Sequence, residues 1–277
     1  MTEQSSAIVK SPYQEVATAL AKYQPAFSAL LAPFGMSGER AARLALDELQ
    51  RNPFLLTCHP ASIVRSVIQC SELGLELGSA IGQAFLVPFW NSKKDRRECS
   101  LIPGYRGLVH IAKDADASIV SFDAEVAHVG DEFKESRGAH PDLVHVPKRE
   151  VGTERIAAYA IAFRRVEGLP TLHPQFVVVP AADVKKIREA SLSKLKDWQV
   201  KTAPWVANEG EMWKKTAVRR LVKMMDLAGD RARLALEADA REFGETTAPK
   251  KGRAAELKSK LGGVEIDAEI VEGEGDE

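Results

Sequence analysis

The chain contains no run of 18 or more apolar residues, and its opening Met1-Thr-Glu-Gln-Ser-Ser has neither a basic stretch nor an apolar one. That pattern speaks against a membrane-spanning helix and a secretory leader, so the expected location is the cytosol. Cysteine is scarce. The three present, Cys58, Cys70 and Cys99, are odd in number and not spaced as C-x₂-C pairs, which implies neither a disulfide framework nor a zinc site and leaves them as small core residues. Hydrolytic signatures are missing as well: there is no H-E-x-x-H and no G-x-S-x-G. Gly210-Glu-Met-Trp-Lys-Lys-Thr lacks the glycine before Lys-Thr that lets backbone N–H groups wrap a nucleotide phosphate. The six histidines, His59, His110, His128, His140, His145 and His173, are scattered, and read as surface or satisfied core residues rather than ligands. No cofactor is called for.

Net charge is also nearly absent, at −1, but the average conceals a segregation. Residues 264–277 carry seven acids and no base, which leaves the rest of the chain at +6. Between Lys185 and Arg233 thirteen bases face six acids. A second cluster sets Lys93, Lys94, Arg96, Arg97, Arg106 and Lys113 against Asp95, Glu98 and Asp114. Local clusters of this kind, not the whole-chain charge, set the potential that a polyanion meets.

With 277 residues and 45% hydrophobic content, the chain can bury one large core or two modest ones and still carry a tail. Helical spacing comes first, over residues 15–31 with an interruption at Pro25, then after the N-cap candidate Ser37, then from Pro60 to a stop at Gly74. Strand patterns follow at 83–90 and 97–103, joined by the polar turn 91–96, and Gly104 leads into a short helix. Further strands are expected at 118–129, 143–147, 156–166 and 171–179, with a turn at Glu167-Gly168. Helices return at 181–190, in the basic stretch 203–225 and at 231–243, with a polar loop over 191–204 before the basic one. The Thr, Pro, Gly, Lys and Glu content beyond residue 244 predicts a flexible linker and a disordered acidic tail. The organisation expected is therefore an N-terminal helical segment over 1–35 as a candidate oligomer contact, a core over 36–243, and the tail over 244–277.

The richest stretch is 203–225, where cations lie beside tryptophans on a helix. At about 100° per residue, Lys215, Arg219 and Lys223 form one row flanked by Arg220, opposite an arc of Trp213, Ala217, Val218, Leu221, Met224 and Met225. Two readings are open, a solvated charged face and a phosphate-binding face. Lys214 falls inside the apolar arc, where a lysine snorkels outward or meets a partner. Gly104-Tyr105-Arg106-Gly107 joins a strand to a helix start, where unpaired N–H groups and the helix dipole favour an anion; Arg106 adds a forked donor and Tyr105 a stacking face. The alternative there is a plain turn with Tyr105 in the core. Glu132-Phe133-Lys134, with Asp131, Asp123 and Asp116 upstream, resembles the acidic pair plus lysine of metal-dependent nucleases, though the triplet follows Gly130 and reads as a turn, and short acidic triplets are frequent by chance.

Four blocks stand in a fixed order: 66–89 (Ser-Val-Ile-Gln-Cys-Ser-Glu-Leu-Gly-Leu-Glu-Leu-Gly onward), Gly104-Tyr-Arg-Gly-Leu-Val-His-Ile-Ala, Gly130-Asp-Glu-Phe, and Pro204-Trp205 through Lys214-Lys-Thr-Ala-Val-Arg-Arg. In order and spacing they resemble the RecT family of phage-encoded single-strand DNA annealing proteins over roughly residues 40–225. The resemblance implies an α+β fold with a small antiparallel β-sheet packed with helices. It also implies ATP-independent binding of single-stranded DNA, annealing of complementary strands, and assembly into rings or helical filaments. A cognate 5′-to-3′ exonuclease and the host single-strand-binding protein are the implied partners, and the implied location is the bacterial host cytoplasm. Carried over by position, Lys214, Lys215, Arg219, Arg220 and Arg106 are candidate backbone contacts. Tyr105, Lys113, Lys93, Lys94, Arg96, Arg97, Trp205 and Lys223 complete the candidate DNA-binding set from the charge clusters and aromatics. A passive single-strand-binding protein is the other non-enzymatic reading. The acidic tail has three readings, a competitor for the DNA groove, a docking segment for a protein partner and a solubility tail.

Overall fold

The structure, a computed structural model, describes residues 11–78, 80–148, 154–193, 195, 200, 201 and 203–240. The chain divides into two compact units, with the division between Ile102 and Pro103.

The first unit is mainly helical. Ser11 and Gln14 form a reciprocal capping box that opens α1 (Pro12–Lys22), satisfying two of the N–H groups a helix start leaves unpaired. Pro25 lies in the first turn of α2 (Gln24–Leu31), so the expected interruption appears as a break at Tyr23 between two helices. Ser37 caps α3 (Gly38–Arg51), accepting from the Arg40 N–H. Gly38 is there for space: a Cβ on it would run into the hydroxyl and backbone nitrogen of Ser28. Pro60 opens α4 (Pro60–Glu72), and Gly74 turns the chain out of it at φ +59°. A two-stranded sheet follows, β1 (Ala84–Asn91) and β2 (Arg96–Pro103). Two buried serines of α4 tie β2 to the helix: Ser62 Oγ accepts from the Cys99 N–H at 2.8 Å, and Ser66 Oγ donates to the Cys99 carbonyl at 3.1 Å. Leu20, Phe27, Leu31, Leu49, Leu55, Ile63, Ile68 and Leu101 fill the core. All three cysteines are free and buried, as expected, and burial pushes the Cys58 thiol up to about 11.

The second unit is built on an antiparallel sheet of β3 (Ile119–His128), β6 (Arg155–Arg164) and β7 (His173–Pro180), with β6 in the centre. Ala158, Ala160 and Ala162, on one face of β6, are buried, and their small side chains let a helix approach closely. That helix is α8 (Glu209–Met224), which packs across β6, β3 and β7. On its other side lie α5 (Tyr105–Ala115) and α9 (Arg231–Ala240), while α6 (Ala181–Leu192) packs on β6 and β7. A single turn, α7 (Pro204–Ala207), precedes α8. The triplet Glu132-Phe133-Lys134, expected to be a turn, instead belongs to β4 (Glu132–Ser136), which pairs with β5 (Asp142–Val146). The reason is long-range: Phe133 and Leu143 pack against Ala157, Tyr159 and Val178, contacts that no local pattern announces.

The arrangement is the expected α+β fold with small antiparallel sheets. Among the described residues no helix is long and apolar enough to cross a membrane. The tail expected over 244–277 lies outside the described residues.

Candidate nucleic-acid interface

Helix α8 does not present the two-sided face that its sequence pattern predicts. It is sandwiched between the sheet and two helices, so Lys215 and Arg219 are buried at 5% and 7% exposure. Both face the fully buried carboxylate of Asp239 on α9, with Lys215 Nζ 2.7 Å from Oδ1 and Arg219 Nε 2.8 Å from Oδ2. Burying charges costs free energy unless they are paired, and this three-group cluster keeps both cations out of the solvent-facing row assigned to them. Trp205 is likewise a core residue, at 1% exposure, rather than an exposed aromatic. Arg220 reaches Asp183 at 3.2 Å. Lys223, in the last turn, is exposed, and so is Met224, which the helical arc had placed in the core.

Lys214 has a partner across the sheet. Its Nζ lies 3.0 Å from Glu125 on β3 and 4.0 Å from Glu211. Partial burial works against its charge, but the Glu125 hydrogen bond and field outweigh that and raise its pKa. The cation inside the apolar arc is therefore a bridge from helix to strand.

The second candidate is the start of α5. Gly104 is the N-cap in extended conformation and supplies no side-chain hydrogen bond to the first N–H groups. Arg106 is exposed, Tyr105 is half-buried, and the guanidinium stands 6.0 Å from the Tyr105 ring centroid. A hydrogen bond with Tyr105 raises the Arg106 pKa further. Lys113, in the last turn, is exposed.

In the first unit, the β1–β2 turn uses its cations unequally. Glu98 is buried and collects Arg96 at 3.0 Å, Lys94 at 3.2 Å and Arg65 at 3.4 Å, with the Asn91 amide at 3.1 Å. Burial alone would raise its pKa, yet the Asn91, Arg96 and Lys94 hydrogen bonds and the Arg65 charge bring it down to about 2. Lys94 and Arg96 thus hold the turn together, while Lys93 is exposed. Arg97, next along the strand, places its guanidinium 4.7 Å from the Phe54 ring centroid. Arg65 escaped the sequence reading because nothing local links it to Glu98, 33 residues away.

A further group of cations, of which only Arg220 was singled out from sequence, lines an open cleft of about 1080 Å³ in the second unit: Arg137, Arg164, Arg165 and Arg220, with His173 and Gln175. The adjacent Arg164-Arg165 at the end of β6 was the available signal. Arg164 is tied to Asp116, whereas the Arg165 side chain is exposed.

The acidic constellation is dispersed. Glu132 pairs with Lys134 at 2.6 Å on the exposed hairpin. Asp131 accepts from the Lys148 and His128 N–H groups at 2.9 and 2.8 Å and meets His145 at 3.1 Å, contacts that lower its pKa to about 2. Asp116 is taken by Arg164, and Asp123 by the Ala124 N–H. Among the described residues no three His, Cys, Asp or Glu side chains are grouped so as to hold a metal ion.

Comparison with known proteins bears on the same stretch of chain. A family model described as the RecT family matches residues 39–250. Over 210 residues the chain is 37% identical to Protein RecT of Escherichia coli (strain K12), covering 74% of each sequence.

Proposed function

Because the chain belongs to the RecT family, whose role is single-strand annealing in DNA recombination, we propose that it binds single-stranded DNA through exposed cations and anneals complementary strands without nucleotide hydrolysis. The observation that carries the proposal is the α5 start, where uncapped N–H groups, the exposed Arg106 and the Tyr105 ring come together inside the matched region. Phosphate contacts are assigned to Arg106, Lys113, Lys223 and Lys93. Those four are chosen for their exposure; Lys214, Lys215, Arg219, Arg220, Lys94 and Arg96 are engaged with carboxylates, and using them on DNA would require exchanging those partners.

The physics needs no catalytic residue. Two strands repel each other, and each folds on itself; neutralising phosphates lowers that repulsion while leaving base edges free to test for pairing. Duplex stacking, about 1.4 kcal/mol per step, then drives the reaction forward. A single copy of the chain reaches few nucleotides, so the protein acts as a homo-oligomer along the strand, each neighbour raising the effective concentration of the next. An exonuclease that exposes the single strand and the host single-strand-binding protein are the partners this reading assigns, with the acidic tail as a docking segment.

The test is to mix labelled complementary strands with the full chain in the absence of ATP. Duplex should form faster than without protein and from strands of unchanged length. The Arg106→Ala, Lys113→Ala variant should anneal about tenfold more slowly. It should also lower the slope of log affinity against log salt by about 1.4, since each lost contact to a single strand removes about 0.7. Parental annealing and slope in that variant would refute the assignment.

A further inference from the structure

Trp90 is the feature that the charge-based account leaves unused. It sits on β1 with 57% of its surface exposed, whereas Trp205 and Trp213 are 1% and 2% exposed. Phe54, in the short 3₁₀ turn Pro53–Thr57, is also exposed, at 37%. Two large aromatic rings on the surface of one unit forgo the burial that such rings ordinarily contribute, which marks them for a partner.

What joins them is Arg97. Its guanidinium lies 4.7 Å from the Phe54 centroid and 5.9 Å from the Trp90 centroid, within cation–π range of both. One cation therefore spans two rings, and at most one face of the indole is occupied by it. The position is held rigidly. The Arg97 carbonyl accepts from the His59 N–H at 2.9 Å, and the adjacent Glu98 is buried among Arg65, Lys94 and Arg96. Successive residues of a strand point to opposite faces, so the same two-residue step sends Glu98 inward and Arg97 outward. Lys93, exposed on the adjoining turn, adds a second cation.

We propose that Trp90, supported by Arg97 and Phe54, is a stacking platform for a nucleobase of single-stranded DNA. This rests on the reading of the protein as a single-strand binder and adds to it a contact that grips a base rather than a phosphate. An aromatic face beside a delocalised cation suits the flat, electron-rich face of an unpaired base, and Lys93 suits the phosphate attached to it. Every base has such a face, so the contact is indifferent to sequence, as annealing requires.

The experiment uses the full chain and two labelled probes of equal length at one salt concentration, oligo-dT and an abasic oligonucleotide of the same phosphate number. Trp90→Ala should weaken oligo-dT binding roughly 5- to 150-fold, the loss of one stacked base. It should leave abasic binding and the salt slope unchanged, and Trp90→Phe should restore most of the affinity. As an arm independent of affinity, oligo-dT should quench tryptophan emission in the parent more than in Trp90→Phe, and the abasic probe should not. The proposal is overturned if Trp90→Ala binds oligo-dT like the parent, if it loses affinity equally for both probes, or if the quenching is the same with and without the indole. Failure of the parent to bind either probe would instead bring down the wider single-strand reading, and this proposal with it.

Discussion

Replacing Asp239 by Asn removes the carboxylate that lies 2.7 Å from Lys215 and 2.8 Å from Arg219 while keeping the side chain's size. The two cations, at 5% and 7% exposure, are left in a site sealed by α9 and the body of α8. Breaking a buried ion pair by deleting one partner costs about 3–5 kcal/mol; Asn retains one accepting oxygen, so the lower end, about 3 kcal/mol, applies. At roughly 2–4 °C per kcal/mol for a chain of this size, the melting temperature should fall by about 6–12 °C. The contrast that gives the prediction its force is the triple variant Lys215→Met, Arg219→Leu, Asp239→Leu. Apolar groups of similar volume escape the desolvation cost of the whole cluster, so the triple variant should melt at or above the parent temperature. Thermal melts by circular dichroism measure both. Because both cations are engaged with Asp239, the triple variant should also keep single-strand affinity within about threefold of the parent at moderate salt, less than the tenfold that 1.4 kcal/mol represents. An Asp239→Asn variant that melts within about 2 °C of the parent, or a triple variant no more stable than the single one, would refute the reasoning.

Three further outcomes are expected. Glu98 has its folded pKa depressed to about 2 from an ordinary 4.5, so its contribution of about 3 kcal/mol is present above pH 4.5 and is lost as pH falls from there towards 2. Urea unfolding of Glu98→Gln against the parent should therefore show a large gap at pH 7 that narrows below pH 4.5; a gap independent of pH would contradict the ion cluster. Gly38→Ala should lower stability by about 1–3 kcal/mol because its methyl meets the Ser28 backbone, although alanine is the better helix former. A melt of that variant at or above the parent temperature would show that α3 and α2 are not so closely packed. Deleting residues 264–277, with their seven acids, should raise single-strand affinity at low salt and less so at high salt if the tail competes for the groove. Unchanged affinity at both salts would leave it as a solubility or docking segment.

Much of the fold was legible because its signals are local. Ser37, Pro60, Gly74 and the turn before β2 act within a few residues of where they stand, and the structure places helix starts, a helix stop and a hairpin there. Strand β4 was not legible, since Phe133 earns its place by packing against Tyr159 on another strand. The candidate site divides along the same line. Arg106 at a glycine-capped helix start is read from four consecutive residues and lies exposed. Lys215 and Arg219 are placed by a helical wheel that assumes one buried face, and α8 has two. The acid that buries them, Asp239, is 20 or more residues further on and carries no pattern of its own. Lys94 and Arg96 were counted as surface charge because the burial of Glu98, and with it Arg65, arises only once α4 meets β2.

The central claim, that this chain pairs complementary strands by electrostatics and stacking without consuming a nucleotide, is met most directly by following two labelled complementary strands in the presence of the full chain with no ATP. The account predicts duplex formation accelerated over the protein-free rate, with products of full length and a rate that falls as salt rises. Strands that are protected but pair no faster, or strands that are shortened when Mg²⁺ is added, would contradict it.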